Sequence, residues 1–227
     1  LRVRRAARVD GRLLARALED AARARGLAIR REVVGGIVVR GDLATGVEVA
    51  GETIAAGAVV LAAGAWSAAL VAPLGVRLPV MPQRGQIIHL ALPGADTAGW
   101  PVVLPFHGHY MVPWPEGRVV VGATREFAGY APQPTAAGMR EVLAEALRVA
   151  PGLADAVFGE VRVGLRPSTP DGLPVLGPTP GVRGLYLATG HGATGLTLGP
   201  YSGKLVAALA LGEPVAEALA PFACTRF

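Results

Sequence analysis

The sequence predicts a mixed α/β (α+β) fold, in which a partial, doubly wound domain is interrupted by an antiparallel sheet with one helix. Two apolar runs, AVVLAA at 58–63 and LYLA at 185–188, are each followed by glycine and then by a helical pattern. Such runs are typical of parallel strands that lead into helices. Residues 79–122 instead alternate short strand-like runs with Pro and Gly, which is typical of an antiparallel sheet. The predicted domains are therefore 1–77 with 178–227, and 78–177.

Composition favours a folded protein and argues against a nucleic-acid partner. Hydrophobic residues make up 52% of the 227 residues, which is enough for a substantial core. Ten arginines lie between Arg2 and Arg31, but the spacing from Glu19 to Arg23 is typical of a solvated helix face. Because aromatic residues make up only 5% of the chain and do not alternate with basic ones, we expect no nucleic-acid binding.

Neither a membrane span nor a disulfide framework is expected. Residues 54–76 carry no charge, but the stretch contains Pro73 and fits a buried strand ending at Gly64 better than a transmembrane helix. Cys224 is the only cysteine, which excludes an internal disulfide and a metal site built on cysteines. A reducing, cytoplasmic compartment fits this composition.

The first part of the chain is expected to form a helix and then a small antiparallel ribbon. Asp10 can cap a helix whose apolar stripe includes Leu14 and Leu18, and Gly26 can end it. The short strands that follow are separated by glycine turns. They are predicted at 27–29, 33–39, 46–49 and 52–54.

The run at 58–63 is predicted to be a strand buried on both faces, with a helix beginning at Ala65. In the inserted domain, Thr135 can cap a helix that stops before Pro151. Strands are predicted there at 87–92, 110–113, 118–121 and 161–165, and a turn-rich loop follows over 166–172.

Residues 184–212 carry the clearest functional signal, a strand followed by a glycine cluster and a helix. This geometry directs free backbone N–H groups and the positive end of a helix dipole at an anionic or electron-rich group. Gly190 to Gly195 has the G-x-G-x-x-G spacing, but Glu213 is followed at once by Pro214, so no strand can carry the acidic residue that binds a ribose. An NAD-dependent dehydrogenase is therefore not supported, whereas a tight corner that only needs small residues stays open.

Four motifs occur in a fixed order over most of the chain. They are VVLAAGAWS (59–67), PQRGQIIHL (82–90), YMVP (110–113) with VVVGATRE (119–126), and VGLRPSTPDGLPVLGP (163–178) leading to ATGHGATGLTLGP (188–200). Together they resemble the flavin-dependent D-amino-acid oxidase family, which includes glycine and sarcosine oxidases and D-amino-acid dehydrogenases. The resemblance implies an incomplete FAD-binding Rossmann-like domain into which a substrate-binding domain is inserted.

The resemblance implies three residues at the substrate. Arg166 matches an arginine that clamps the substrate carboxylate, a task for which the planar guanidinium is suited. Tyr110 matches a tyrosine whose hydroxyl reaches that carboxylate, and Ala193 matches the position whose carbonyl accepts from the substrate amine. Without the family context, Arg166 would be expected in a surface salt bridge and Tyr110 in the core.

The resemblance also places FAD against the glycine turn and the Gly64 corner. The backbone N–H groups of Gly195, Leu196 and Thr197 would face the O2 edge of the flavin ring and stabilise the negative charge it gains on reduction. The expected cofactor-binding residues are Gly64, Gly190, His191, Gly192, Thr194, Gly195, Leu196 and Thr197.

The implied reaction oxidises the CH–NH bond of a small or D-amino acid. A hydride passes from the substrate Cα to the flavin, and water hydrolyses the resulting imine to an oxo acid. Electrons would leave to oxygen or to a membrane quinone, and the second case would place the protein peripherally at the inner membrane face. No metal is expected, because His107 and His109 alternate without a recognisable third ligand.

The family's dinucleotide fingerprint lies near its N-terminus, whereas no such βαβ unit occurs here before residue 60, and the chain begins with Leu1. We therefore expect that a preceding segment or a partner chain supplies this part of the FAD site. The alternative hypothesis is a non-catalytic fragment or subunit that keeps the fold and binds no FAD alone.

Overall fold

The structure, a computed structural model, describes residues 7–105 and 108–227. They form two compact units. Unit 1 contains the described residues up to Leu27 together with Arg84–Leu165, and unit 2 contains Ala28–Gln83 and Arg166–Phe227. The predicted division differs from these units in three places, because the first helix groups with unit 1, whereas residues 78–83 and 166–177 group with unit 2.

The described residues contain four α-helices and ten strands. The helices are α1 (Gly11–Arg23), α2 (Ser67–Val71), α3 (Ala136–Val149) and α4 (Gly195–Ala210). The strands are β1 (Val34–Arg40), β2 (Leu43–Val49), β3 (Glu52–Ala55), β4 (Val59–Leu61), β5 (Met81–Ala91), β6 (Tyr110–Pro113), β7 (Arg118–Gly122), β8 (Val157–Ser168), β9 (Val175–Thr179) and β10 (Val182–Thr189). Across these residues, no helix combines the length and the apolar character needed to cross a lipid bilayer.

Helix α1 begins where the sequence predicts. The Asp10 carboxylate accepts hydrogen bonds from the backbone N–H groups of Leu13 (3.2 Å) and Arg12 (2.9 Å), and these bonds lower the pKa of Asp10. However, no residue of α1 is buried, and Leu18 in the predicted apolar stripe is 52% exposed. Leu14 on the same stripe is only partly buried, so other described residues cover the apolar face of α1 incompletely.

Strands β1, β2 and β3 form the antiparallel ribbon that the glycine turns predict. Val38 pairs with Gly46, and Val47 pairs with Ile54. The predicted strand at 27–29 is wrong, since these residues have no regular secondary structure. They are largely exposed and have no neighbouring described strand to pair with.

Parallel pairing of β4 with β10 forms the centre of unit 2. Leu185 pairs with Val59 and Leu187 with Leu61, and all four side chains lie in one hydrophobic cluster. The predicted burial of β4 on both faces is wrong, because Val60 is 43% exposed. Alternate residues of a strand face opposite sides, so at β4 the described residues cover one face only.

The sequence does not predict β9, which pairs antiparallel with β10. The pairs include Thr179 with Val182 and Val175 with Thr189. Pro178 argues against a strand in the sequence, because proline cannot donate to a strand ladder and is depleted in strands. The strand still forms because its partner β10 holds the remaining residues in place.

Unit 1 contains the predicted antiparallel sheet, with the strand order β6-β7-β5-β8. Val121 of β7 pairs with Met111 of β6 on one side and with Ile88 of β5 on the other. Helix α3 packs against these residues through Val142 and Ala146, and all five belong to one hydrophobic cluster. Strand β6 has its predicted bounds, whereas β5 and β8 are longer than predicted.

A mostly buried polar network joins β5 to the start of α3. Arg84 Nη2 donates to Glu126 Oε2 (2.5 Å), and Gln86 Nε2 donates to Glu126 Oε1 (2.8 Å). The Thr135 backbone N–H donates to Gln86 Oε1 (2.9 Å), while Thr135 Oγ1 caps α3 by accepting from the Gly138 N–H (3.2 Å). Because Arg84 and the other donors stabilise its charged form, the pKa of Glu126 is lowered to about 2.

We expect Glu126→Gln to lower the free energy of unfolding by about 2 to 3 kcal/mol at neutral pH, because it leaves Arg84 without its carboxylate partner. The Arg84 side chain is only 10% exposed. Urea denaturation of unit 1 would measure this loss. The matched control is Glu160→Gln, since the Glu160 pair with Arg162 is exposed and should change stability little.

The ion pair of Glu126 with Arg84 should also make the free energy of unfolding depend on pH in the acid range. The pKa of Glu126 falls from 4.5 to about 2 on folding, so its stabilisation is complete above the unfolded pKa and is lost as the pH falls through the folded pKa. Denaturation at several pH values between these limits should show a steeper loss for the wild type than for Glu126→Gln. Parallel curves for the two proteins would contradict this role.

Candidate functional site

Two glycine corners lie at the same edge of the unit 2 sheet. Because β4 and β10 run parallel, their carboxyl ends meet at one edge, which is where ligands bind in such sheets. The corner after β4 turns at Gly64 (φ 55°), and the corner after β10 turns at Gly190 (φ 76°). Each leads into a short 3₁₀ turn and then a helix. The sequence predicts both corners, and the parallel pairing places them side by side.

Buried hydroxyl groups connect the two corners. Ser67 Oγ, at the start of α2, donates to Thr189 Oγ1 (3.1 Å). Thr189 Oγ1 in turn donates to the Gly64 carbonyl (3.0 Å). Ser67 is 0% exposed and Thr189 is 1% exposed. The relative position of the corners is therefore fixed by interior hydrogen bonds as well as by strand pairing.

The turn after β10 has little room for side chains at its first residue. A Cβ on Gly190 would lie 2.8 Å from Thr169 Cγ2 and 3.2 Å from the Val175 backbone N. The turn is closed by Thr194, whose backbone N–H (2.9 Å) and Oγ1 (2.7 Å) both donate to the His191 carbonyl. Glycine at 190 is thus required both by the positive φ and by the close approach of its neighbours.

Helix α4 begins directly after this turn without a side-chain cap or an acidic residue in its first turn. The backbone N–H groups at the start of a helix have no partner within the helix and carry the positive end of its dipole. Leu196 and Thr197 are exposed in this first turn, and so are Ala193 and Thr194 just before it. The start of α4 can therefore donate to an electron-rich group.

His191, one of the expected cofactor-binding residues, adds a buried polar atom whose lack of a partner the sequence does not reveal. Its Nε2 is buried and has no hydrogen-bond partner in the described structure. Burial also lowers the pKa of His191, so the imidazole is neutral at physiological pH. A buried polar atom without a partner is costly, so a bound group that hydrogen-bonds Nε2 fits this turn.

Arg166, near the end of β8, lies next to the same turn. The carbonyl oxygen of Pro167, the following residue, lies 4.0 Å from the position of a Cβ on Gly192. Arg166 is half-buried and engages in interactions within the structure. The backbone that follows Arg166 therefore lies close to the predicted cofactor turn within unit 2, while the role of Arg166 as a clamp stays a prediction.

The loop after Arg166 is held by the C-terminal residues. Arg226 donates to both oxygens of Asp171 (2.7 and 3.1 Å) and to the Leu173 carbonyl (2.8 Å). This pairing lowers the pKa of Asp171 far below its ordinary range. Thr169 Oγ1 also donates to the Leu173 carbonyl (2.8 Å). The loop that contacts the glycine turn is thus closed by several hydrogen bonds.

Tyr110 lies in unit 1, at the first residue of β6. It pairs with Gly122 of β7, which also pairs with Ile87 of β5. A Cβ on Gly122 would lie 3.3 Å from Tyr110 Cζ and 2.6 Å from Ile87 Cγ2. Glycine at 122 therefore leaves room for the Tyr110 ring over the sheet. Its convergence with Arg166 of unit 2 stays a prediction.

The described residues form no metal site around the predicted histidine pair. His107 lies outside the described residues, and His109 Nε2 is 3.2 Å from Glu141 Oε1. Within residues 7–105 and 108–227, no group of three His, Cys, Asp or Glu side chains is arranged to hold a metal ion. Cys224 is buried in the hydrophobic cluster of unit 2, and burial raises the pKa of its thiol.

Comparison with known proteins gives a consistent result. The sequence profile of one family, described as FAD dependent oxidoreductase, matches residues 1–209. The oxidoreductase YurR of Bacillus subtilis (strain 168) is 46% identical over 219 residues, which is 96% of this chain and 59% of YurR. The glycine oxidase of Pseudomonas aeruginosa PAO1 is 41% identical over 184 residues, covering 81% of this chain and 50% of that protein.

A solved structure agrees with these sequence matches. The iminodiacetate oxidase of Chelativorans sp. BNC1 is 45% identical to this chain, with a TM-score of 0.92. The match covers 95% of this chain and 58% of that protein. The chain thus spans between half and three fifths of the length of these three relatives.

We expect Gly190→Ala to lower the free energy of unfolding by about 1 to 3 kcal/mol, because alanine is strained at positive φ and meets Thr169. The control is Gly203→Ala, because Gly203 is exposed within α4 and an added Cβ there meets no atom within 4 Å. That control should leave stability unchanged or raise it by up to about 1 kcal/mol. Chemical denaturation measures the free energy of unfolding of both variants. Equal changes in the two variants would contradict the inference that Gly190 lies in a tightly packed corner.

Proposed function

Because this chain belongs to the FAD dependent oxidoreductase family, we propose that its two glycine corners bind FAD and that the protein oxidises the CH–NH bond of a small amino acid. The observation that supports this most is the turn at 190–197, where an uncapped helix start and the buried His191 Nε2 both lack partners among the described residues. A ring with hydrogen-bonding edges fits these groups. The Gly64 corner, whose carbonyl accepts from Thr189 Oγ1 just before this turn, would contact the cofactor from the adenosine side.

The residues of this chain would bind and orient the substrate. The guanidinium of Arg166 would hold the substrate carboxylate with two parallel hydrogen bonds. The Tyr110 hydroxyl would donate to the same carboxylate, and the Ala193 carbonyl would accept from the amine. These contacts would set the direction of the substrate Cα–H, which is the main requirement of a hydride transfer. FAD, when bound, supplies the hydride acceptor.

The proposed substrates are small amino acids, including N-substituted ones. This choice draws on two relatives, one named glycine oxidase and the other iminodiacetate oxidase. Oxidation of glycine or of iminodiacetate would give an imine that water hydrolyses to an oxo acid. The final electron acceptor, oxygen or a membrane quinone, would be distinguished by measuring oxygen uptake against reduction of a quinone analogue.

A second candidate function is a subunit or fragment that binds no FAD by itself. Two observations favour it: the apolar face of α1 is incompletely covered, and Val60 on the central strand β4 is 43% exposed. Partial burial of a parallel sheet is unusual, since such sheets are normally covered on both faces. A further segment or a partner chain would then complete the FAD site.

The colour of the purified protein separates the two candidates. We expect the protein, as its gene encodes it, to carry bound flavin with an absorbance maximum near about 450 nm, as flavoproteins do. Titration of the flavin-stripped protein with FAD would give the dissociation constant. A colourless protein that takes up no added FAD would contradict the leading proposal and favour the second candidate.

Arg166→Ala tests the carboxylate clamp. We expect KM for the amino acid to rise about 10- to 100-fold, since one charge-assisted pair is lost. The dissociation constant for FAD should stay within about threefold of wild type. Arg183→Ala is the control, because Arg183 makes only an exposed pair with Asp42 in the same unit. Equal losses of substrate and FAD affinity would remove Arg166 from this role.

A further inference from the structure

We propose that Arg125 in unit 1 binds a second carboxylate of the substrate, so that the preferred substrates are small amino acids with two carboxylates. This inference rests on the proposed function and makes its substrate class specific. It goes beyond the predicted site residues, since the sequence gives Arg125 no role.

Arg125 lies over the chain segment that leads into Tyr110. A Cβ on Gly108 would lie 2.1 Å from Arg125 Nη1 and 3.1 Å from Arg125 Cζ. Gly108 has a φ of 77° and precedes Tyr110 by two residues. Two residues of chain span at most about 7 Å, so the guanidinium is within reach of a small molecule held at Tyr110.

The strand pairing of β6 with β7 also places Arg125 near Tyr110. Gly122 pairs directly with Tyr110, and Arg125 follows Gly122 by three residues. The chain that leaves β7 therefore passes the end of β6 where Tyr110 begins. The contact with Gly108 and the pairing of Gly122 with Tyr110 thus agree in placing Arg125 near the predicted substrate tyrosine.

The charge of Arg125 is not neutralised by its neighbour in sequence. The Glu126 carboxylate is already occupied by Arg84 (2.5 Å), Gln86 (2.8 Å) and Thr124 (2.6 Å). The ion pairs formed within residues 7–105 and 108–227 include none to Arg125, and its side chain is exposed. Arg125 thus presents a solvent-accessible cation next to Tyr110.

An exposed guanidinium of this kind suits a carboxylate that extends away from the reacting amine. Its planar donors pair both carboxylate oxygens, and the charge favours a dianionic ligand over a monoanionic one. An N-carboxymethyl group would bring such a carboxylate, whereas an N-methyl group would leave Arg125 in water. Discrimination between these two substituents is therefore the signature of this role.

The first test measures binding without turnover. Thiodiacetate has two carboxylates and no amine to oxidise, and (methylthio)acetate is its counterpart with one carboxylate. Calorimetric titration of the flavin-containing protein should show thiodiacetate binding about 10- to 100-fold more tightly. Arg125→Met should reduce this ratio to within about threefold. Arg140→Met, which removes an exposed arginine on α3 of the same unit, should leave it unchanged.

The second test measures kcat/KM for iminodiacetate and for sarcosine, which differ only in an N-carboxymethyl or N-methyl group. Arg125→Met should lower the ratio of the two values by about tenfold or more, mainly through KM for iminodiacetate. Sarcosine oxidation should keep its wild-type rate, which also shows that the variant is folded.

The outcomes separate this inference from the proposed function. A flavin-containing wild type that oxidises sarcosine and shows no preference for the dicarboxylate in either test would overturn only the role of Arg125. The role of Arg125 would also be overturned if Arg125→Met weakened the binding of thiodiacetate and (methylthio)acetate equally. An equal loss of kcat/KM for iminodiacetate and for sarcosine would lead to the same conclusion. A protein that binds no FAD and oxidises no amine would overturn the proposed function and this inference together.

Discussion

The parallel pairing of β4 with β10 is the constraint on which the rest of the candidate site depends. It sets Gly64 and Gly190 at one sheet edge, and the Ser67 and Thr189 hydroxyls join the two corners inside the protein. Neither corner alone would specify a ligand, because a single glycine turn is also a common structural device. Together they form one continuous backbone surface at the start of α4.

The two units contain different kinds of candidate groups. Unit 2 contains the backbone donors at the start of α4 together with His191 and Arg166, while unit 1 contains Tyr110 and Arg125 on or beside its antiparallel sheet. In unit 1 the pair of Arg84 with Glu126 keeps the chain after β7 in place. That pair also leaves Arg125 as a cation that its neighbouring carboxylate does not neutralise.

Local signals made most of the fold predictable from the sequence. Asp10 and Thr135 were recognisable as helix caps because capping needs only a short side chain before a periodic pattern. β9 was missed because Pro178 is a poor strand residue, and the burial of β4 was overestimated because an apolar run does not reveal what covers it. The orphaned Nε2 of His191 and the contact of Arg125 with Gly108 depend on long-range packing. No local pattern contains that information.

Hydrogen exchange tests the central claim most directly. Amide exchange of the protein, as its gene encodes it, would be followed by mass spectrometry with and without saturating FAD. The account predicts that FAD slows exchange in the segments containing residues 64–67 and 190–197 together, while the ribbon of β1 to β3 exchanges as before. Protection of one corner without the other, or of neither, would contradict a single ligand site built from both.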